Sequence, residues 1–318
     1  MYTDLLSWQE RAAKRVVYTI GNFDGVHRGH QRLLAEVAAL ARECKALAAA
    51  VSFRAHTREF FKPEDRQTFA ALTTRKERAL LLEGLGLDAF VELDFNDALA
   101  SLSGEDFLSL LAGENACGFV VGEGFRFAAQ RSAGTEEIAR YLAGHGGGRL
   151  VTVEPLYDGG APVSSSRIRA LLLAGDIAGA NALLGREYSL SGVRKVGDSI
   201  ASRLGYPSVN LDKIEALLPP NGVYAARFVC KEGSFPAMSY IGTRPTHRGR
   251  EMRMETHVLD CALAFADGEK AEVMFVTRIR DEARFSDEAA LLRQLARDKE
   301  AARLALLCGE NSRRLASD

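Results

Sequence analysis

The chain has 318 residues, enough for two domains, and its 47% hydrophobic and 26% charged residues are typical of globular proteins. Its formal net charge of −1 provides no long-range attraction to nucleic acid or to an anionic membrane, so neither is predicted as a partner. The five cysteines form no CxxC pair, no apolar run approaches the ~20 residues of a membrane helix, and charged side chains interrupt the first twenty residues. These features predict a cytoplasmic enzyme.

The first half of the chain alternates between strand-like and helix-like segments. An apolar run at 16–20 predicts a strand, and apolar residues at helical spacing predict a helix over 28–44. Further strands are predicted at 48–53, 89–93, 118–122 and 149–153, and further helices at 74–84, 104–113 and 134–144. This alternation predicts an α/β fold with a parallel sheet and helices on both of its faces.

The pattern changes near residue 185. Short runs rich in β-branched and aromatic residues follow at 223–230, 238–241, 254–259 and 272–279, and turn residues separate them. Such runs predict a small antiparallel barrel. Ser286 is predicted to cap a closing helix of about twenty residues. We therefore predict two domains, residues 1–185 and 186–318.

The turn after the first strand has the composition of a phosphate-binding site. It places several glycines and two histidines, His27 and His30, where a helix is predicted to begin. Glycines let the backbone approach a phosphate, a helix N-terminus offers unpaired N–H groups, and imidazoles donate hydrogen bonds to a phosphoryl group. We predict nucleotidyl transfer here, the alternative being that the histidines only pack or cap. The other residues assigned to ATP or its phosphates are Gly21, Phe23, Asp24 and Gly29.

A second candidate is the run of three serines and two arginines at 164–169. Taken alone, it is most simply a serine cap followed by basic residues on a solvated helix face. Hydroxyls and guanidinium groups also suit phosphate oxygens. Together with the first turn, Ser165, Ser166 and Arg169 are predicted to complete a triphosphate site.

Two strand ends in the first half carry candidates for binding a flat heterocycle. Phe125, Arg126 and Phe127 follow the strand at 118–122, and α/β sheets bind ligands at the carboxyl ends of their strands. Packing of the two phenylalanines in the core explains them equally well. His56 follows the strand at 48–53 and is a weaker candidate for the same site.

Two segments of the second half carry side chains suited to phosphoryl chemistry. Ser208 and Asn210 offer hard oxygens for Mg²⁺ or a phosphate, although an ordinary loop is the simpler interpretation. Glu255 alternates with His257 along a predicted strand, and a carboxylate at a barrel mouth is suited to act as a general base. A solvated strand face explains Glu255 nearly as well.

Taken in order, these motifs resemble the prokaryotic bifunctional FAD synthetases, which join an FMN adenylyltransferase to a riboflavin kinase. The resemblance covers nearly the whole chain and includes the segments 21–30, 164–169, 204–210, 220–224, 241–246, 255–260 and 280–285. It implies a Rossmann-like nucleotidyltransferase domain, followed by a riboflavin-kinase-like barrel with a C-terminal helix.

The resemblance also implies two reactions. The C-terminal domain would convert riboflavin and ATP to FMN, with Ser208 and Asn210 holding Mg²⁺ and the ATP phosphates. The N-terminal domain would convert FMN and a second ATP to FAD and pyrophosphate, with the flavin at His56 and Phe125–Phe127. The catalytic residues that the resemblance implies are His27, His30, Arg169 and Glu255.

Two departures from the family pattern leave alternatives open. In the family, the loop that corresponds to 197–203 alternates glycine and arginine, whereas this chain has Ser199-Ile200-Ala201-Ser202 there. Gly124 and Ala128, on either side of Phe125–Phe127, also differ from the family pattern. The alternatives are an FAD synthetase with a degenerate kinase module and a non-catalytic flavin-binding protein. The sequence predicts no oligomeric state.

Overall fold

The computed structural model of the protein describes residues 2–4, 8, 15–62, 64, 69–196, 205–246, 249–260 and 267–317. The chain divides into two units, Met1–Ser165 and Ser166–Asp318.

The N-terminal unit contains a six-stranded parallel sheet in the order β1-β4-β3-β2-β5-β6. Its strands are β1 (Tyr2–Asp4), β2 (Val16–Ile20), β3 (Leu47–Phe53), β4 (Ala89–Leu93), β5 (Ala116–Gly122) and β6 (Arg149–Val153). The five predicted strands are confirmed, whereas β1 was not predicted, because a three-residue polar strand has no periodicity to detect. A two-stranded hairpin, β7 (Tyr157–Asp158) and β8 (Ala161–Pro162), follows the sheet.

Helices cover both faces of this sheet, as predicted. They are α1 (Arg28–Cys44), α2 (Thr57–Phe61), α3 (Arg75–Glu83), α4 (Asp97–Ala100), α5 (Gly104–Ala112) and α6 (Thr135–Gly144). Tyr18 packs on the face covered by α5 and α6, and its neighbour Val17 packs on the face covered by α1 and α3. Because successive side chains of a strand point to opposite faces, a strand buried on both faces is a continuous apolar run.

The C-terminal unit contains two helices, α7 (Ser165–Leu173) and α8 (Ile177–Leu184), and a closed six-stranded antiparallel barrel. Aromatic side chains fill the barrel, where the ring of Phe275 lies 5.4 Å from that of Tyr224 and 6.4 Å from that of Tyr188. The predicted barrel is confirmed. Its strands, in the order β10-β13-β12-β11-β14-β9, are β9 (Tyr188–Val196), β10 (Val209–Asp212), β11 (Gly222–Cys230), β12 (Gly233–Thr246), β13 (Gly249–Val258) and β14 (Lys270–Asp281).

The chain closes with α9 (Glu288–Ser317), thirty residues rather than the predicted twenty or so. Its cap is Asp287 and not Ser286, because the Asp287 carboxylate accepts the Ala290 N–H at 2.7 Å while Ser286 only donates to Asp287. Ala302 and Leu306 pack on apolar residues of the barrel wall. Within the parts of the chain that the structure describes, no helix combines the length and apolar composition needed to cross a bilayer.

Candidate functional site

The first candidate site is the turn between β2 and α1. The Gly21 N–H donates to the Val51 carbonyl at 3.0 Å, which ties the start of the turn to β3. Phe23, Gly25 and Val26 then adopt left-handed backbone conformations, with φ of 49°, 79° and 39°. Two of these are not glycines, so contacts elsewhere in the turn must hold the strained backbone in place.

Asp24 provides such a contact. Its carboxylate is buried and accepts the backbone N–H groups of Leu72 at 2.8 Å and Thr73 at 3.3 Å. The Thr73 hydroxyl in turn accepts the Gly25 N–H at 3.1 Å. The sequence assigned Asp24 to ATP, and in the structure its carboxylate fixes the shape of the turn.

The two histidines stack on each other at the start of α1. His27 is the N-cap, and its Nδ1 accepts the backbone N–H of His30 at 3.3 Å. The ring centroids lie 3.6 Å apart with the planes inclined by 16°. Because Nδ1 of His27 accepts a hydrogen bond, the proton of its neutral ring lies on Nε2, where it can be donated to an oxygen.

The surroundings of His30 favour its neutral form. Burial, and secondly the neighbouring His27, hold the pKa of His30 well below its usual value of 6.5. The edge of its ring packs against Phe23, a buried core residue, at a centroid distance of 5.3 Å. Gly29 makes room for the pair, since a Cβ at that position would lie 3.2 Å from two atoms of the His27 ring.

A hydrogen bond links Ser165, the last residue of the N-terminal unit, to the turn between β2 and α1, which we call the histidine turn. The Ser165 hydroxyl, at the first position of α7, donates to the Asp24 carbonyl at 2.8 Å. Ser166 and Arg169 follow in the first turns of the same helix. Ser165 therefore contacts the histidine turn although 141 positions separate it from Asp24.

A cavity of about 330 Å³ lies next to this turn in the N-terminal unit. Ile20 at the end of β2 and Gly21 and Asn22 of the turn form part of its wall, and half of the other lining residues are phenylalanines. An apolar, aromatic-rich cavity with a few polar groups is typical of a small-molecule site. Its other lining residues are Phe53, Thr57, Phe61, Phe95, Leu99, Ala100, Phe107, Phe125, Arg126, Phe127, Ala128 and Arg131.

Three of the four predicted flavin residues line this cavity. Phe125 and Phe127 stack with a centroid distance of 5.6 Å, and Phe127 is also part of the core, so core packing accounts for it and its contact with a flavin stays a prediction. Arg126 is the third. His56 is not among the described lining residues; its ring caps α2 by accepting the Arg58 N–H at 3.1 Å.

The second candidate site lies on the barrel. Asn210 is within β10, where a loop was the simpler expectation, and it is the direct cross-strand partner of Glu255 on β13. Glu255 is also paired with Tyr240 on β12. Because paired residues share a face and Tyr240 packs with the residues that contact α9, Glu255 lies on the outer wall beside that helix. The expectation that it points into a barrel mouth is wrong.

The neighbours of Glu255 form a polar network. The Tyr240 hydroxyl donates to Glu282, and the Asn221 amide donates to the other oxygen of that carboxylate at 2.9 Å. Burial, and then the bond to Glu282, raise the pKa of Tyr240, so its hydroxyl keeps its proton. A Cβ at Gly242 would overlap the ring of Tyr240, so a side chain there would displace the tyrosine.

The oxygen atoms at this site suit a hard cation. Oδ1 of Asn210 is buried and accepts no hydrogen bond from any described residue, and Ser208 precedes it by two positions. Such donors fit Mg²⁺. No group of three or more His, Cys, Asp or Glu side chains suited to a metal occurs among the described residues. The altered segment Ser199–Ser202 lies outside the residues that the structure describes.

Sequence reasoning missed a buried ion pair behind the first turn. Arg78, from α3, is 5% exposed and contacts Glu92, from β4, which is 2% exposed. The segment 74–84 was interpreted only as a helix. The one available signal was an arginine at a position where the helical pattern faces the sheet.

Two family models match successive parts of the chain. Residues 9–167 match the family model described as FAD synthetase, and residues 184–306 match the model described as riboflavin kinase. A bifunctional riboflavin kinase/FMN adenylyltransferase of Pseudomonas fluorescens is 34% identical over 90% of this chain and 92% of its own. The protein of that name from Escherichia coli K12 is 32% identical over 90% and 91%.

A solved structure also resembles the chain over nearly its whole length. It is described as a macrolide-efflux protein from Streptococcus pneumoniae and shows a TM-score of 0.84 at 28% identity, covering 92% of this chain and 94% of the other. The similarity therefore includes most of both units of the chain.

Proposed function

The chain belongs to the family of bifunctional riboflavin kinase/FMN adenylyltransferases, and from that premise we propose which of its residues perform each reaction. It is a transferase that phosphorylates riboflavin to FMN and adenylylates FMN to FAD. We assign adenylyl transfer to residues 1–185 and phosphorylation to residues 186–318. ATP is the proposed donor in both reactions, and the cytoplasmic location stays a prediction from the sequence.

For adenylyl transfer, the supporting observation is the hydrogen bond that joins Ser165 to the histidine turn, next to the aromatic cavity. The isoalloxazine ring of FMN is proposed to occupy the cavity, between its aromatic side chains. A phosphate oxygen of FMN then bonds to the α-phosphorus of ATP as the bond to pyrophosphate breaks. Gly21, Phe23, Asp24 and Gly29 are proposed to shape the turn that receives the ATP phosphates.

Stabilisation of the charge that develops on the phosphates is the proposed role of the side chains at this turn. His27 and His30 donate from neutral rings at a helix N-terminus, where backbone N–H groups already favour an anion. Ser165, Ser166 and Arg169 add hydroxyl and guanidinium donors for the departing pyrophosphate. No covalent enzyme intermediate is needed, since the acceptor phosphate is itself the nucleophile.

For phosphorylation, the supporting observation is the pairing of Asn210 with Glu255 on the outer wall of the barrel. Glu255 is proposed to take the proton of the ribityl 5′-hydroxyl, whose oxygen bonds to the γ-phosphorus of ATP as ADP leaves. Ser208 and Asn210 are proposed to hold Mg²⁺, which neutralises phosphate charge when it is bound. The buried, unpartnered oxygen of Asn210 supports that assignment.

Product analysis tests both assignments in one protein. Purified enzyme with riboflavin, ATP and Mg²⁺ is expected to give FMN and then FAD on chromatography, and chelation of Mg²⁺ is expected to stop the first step. His30→Ala is expected to lower FAD formation from FMN by about 10²-fold and leave FMN formation intact. Glu255→Gln is expected to do the reverse.

Two outcomes would overturn these assignments. If FMN yields FAD but riboflavin yields nothing, the kinase site proposed on the barrel is wrong. If His27→Ala and His30→Ala both leave adenylyl transfer intact, the histidine turn is not the catalytic centre.

A further inference from the structure

One buried guanidinium joins the ends of three neighbouring strands beneath the aromatic cavity. Arg78, on α3, donates from Nη1 to the carbonyl of Asn22 at 3.0 Å and from Nη2 to the carbonyl of Phe53 at 3.0 Å. Nη2 also donates to Oε1 of Glu92 at 2.9 Å. These acceptors lie just after β2, at the end of β3 and within β4. A single side chain thus spans the ligand-binding edge of the sheet.

Asn22 connects the cavity with the histidine turn. Its side-chain amide donates to the Thr57 hydroxyl at 3.1 Å, and both residues line the cavity. Its carbonyl accepts from Arg78 and also from the Ser52 hydroxyl, at 3.2 Å. One residue further along, the backbone enters the left-handed turn at Phe23 that leads to His27 and His30. A displacement of Asn22 would therefore move the cavity wall and the turn relative to each other.

We propose that Arg78 is a positioning residue for adenylyl transfer, holding the cavity wall in register with the histidine turn. This inference rests on the proposed assignment of flavin to the cavity and of ATP to the turn. A guanidinium suits the role because its N–H groups are fixed in a planar fork and reach several acceptors at once. A lysine keeps the charge beside Glu92 but has no rigid fork with which to hold both carbonyl oxygens.

The proposal predicts a specific kinetic change. Among the phenylalanines that line the cavity, only Phe53 accepts a hydrogen bond from Arg78 in the described part of the chain, so FMN binding should change little when Arg78 is replaced. Misplacement of the FMN phosphate relative to the histidines should slow the chemical step, since a shift of about 1 Å can reduce a rate 10²-fold. The expected loss is therefore in kcat, with KM for FMN nearly unchanged.

Arg78→Lys and Arg75→Lys form a matched pair of variants. Arg75 binds the same carboxylate, donating from Nε to Oε2 of Glu92 at 2.9 Å, but from a side chain that is 46% exposed. Arg78→Lys is expected to lower kcat for FAD formation by about 30–100-fold with KM for FMN within about threefold. Arg75→Lys is expected to leave both within about threefold. Riboflavin phosphorylation by the same samples should be unchanged, and circular dichroism reports the folded fraction.

Ser52→Ala provides a second test that does not remove a charge. It deletes the other donor to the Asn22 carbonyl, and it is expected to lower kcat about threefold at unchanged KM.

The proposal is overturned if Arg78→Lys behaves like Arg75→Lys, if only KM rises, or if kcat falls no further than the folded fraction. A normal Arg78→Lys beside an inactive His30→Ala rejects only the positioning role. Adenylyl transfer left intact in both His27→Ala and His30→Ala rejects the proposed assignment of the reaction to the histidine turn.

Discussion

At the residue scale, the stacked imidazoles of His27 and His30 restrict the positive charge that the histidine turn can hold. Two imidazolium rings 3.6 Å apart would repel each other, and His30 is also desolvated. The turn therefore presents neutral donors, and the positive potential comes from the helix N-terminus and from arginine. Under the proposed assignment, this arrangement stabilises phosphate charge without a histidine that must be protonated first.

The lowered pKa of His30 predicts that acid destabilises the N-terminal unit. Below the usual histidine value of about 6.5, the unfolded chain binds a proton that the folded turn does not. Stability present above that pH is thus lost as the pH falls, by up to about 1.4 kcal/mol per pH unit. Urea unfolding between pH 5 and 7.5, followed by the fluorescence of the single tryptophan, Trp8, measures the change. His30→Gln should flatten this dependence, and an equal slope in both proteins would contradict the prediction.

A strained alanine at the cavity predicts a stabilising substitution. Ala128 lines the cavity with φ of 64° and ψ of −173°, a region that essentially only glycine occupies. Ala128→Gly is expected to raise the free energy of unfolding by about 1 kcal/mol, because it removes the clash of Cβ with the backbone. Ala129→Gly, at a neighbour without positive φ, should not stabilise. Chemical denaturation of the two variants distinguishes them, and a destabilised Ala128→Gly would argue against this backbone conformation.

At the scale of elements, regular patterns were predictable and irregular contacts were not. Burial on both faces makes β2 and β3 continuous apolar runs, and α1 has a strong apolar stripe, so each could be read from the sequence. β10 could not, because it follows a turn-like Gly-Tyr-Pro segment and pairs only through tertiary contacts. The histidine turn was predictable from its glycines, whereas Arg78 becomes meaningful only once three strand ends lie side by side.

The cap of α9 gives a prediction at this scale. Asp287 accepts the Ala290 N–H, and that hydrogen bond is the largest cause of its lowered pKa. Asp287→Ala is expected to cost about 1 kcal/mol and to raise hydrogen exchange in the first turn of α9. Ser286→Ala should have a smaller effect, since its hydroxyl only donates to that carboxylate. Faster exchange in the Ser286 variant than in the Asp287 variant would reverse this assignment of the cap.

At the scale of the whole molecule, the residues that stabilise the C-terminal unit begin earlier in the chain than the residues proposed to phosphorylate riboflavin. All proposed kinase residues follow residue 186, yet α8 is attached to the barrel by Asn181. Its amide donates to the Phe275 carbonyl at 2.8 Å, and its oxygen accepts the Tyr188 N–H at 2.7 Å. Ile177, Ala180, Leu183 and Leu184 are buried on the same helix. α8 therefore contributes to the stability of the unit that it precedes.

Two fragments, 166–318 and 186–318, test whether α8 is needed for riboflavin phosphorylation or only for the stability of the barrel. Both contain Ser208, Asn210 and Glu255, so both are expected to phosphorylate riboflavin at low temperature. The shorter fragment exposes the surface that α8 covers, and removing several buried apolar side chains is expected to lower its free energy of unfolding by about 5 kcal/mol. Thermal unfolding compares the stabilities of the two fragments. In the full chain, Asn181→Leu should also lower the unfolding temperature of the barrel, because the Phe275 carbonyl and the Tyr188 N–H lose their hydrogen-bond partner. Equal stability of the fragments would show that α8 is only a connection between the two activities.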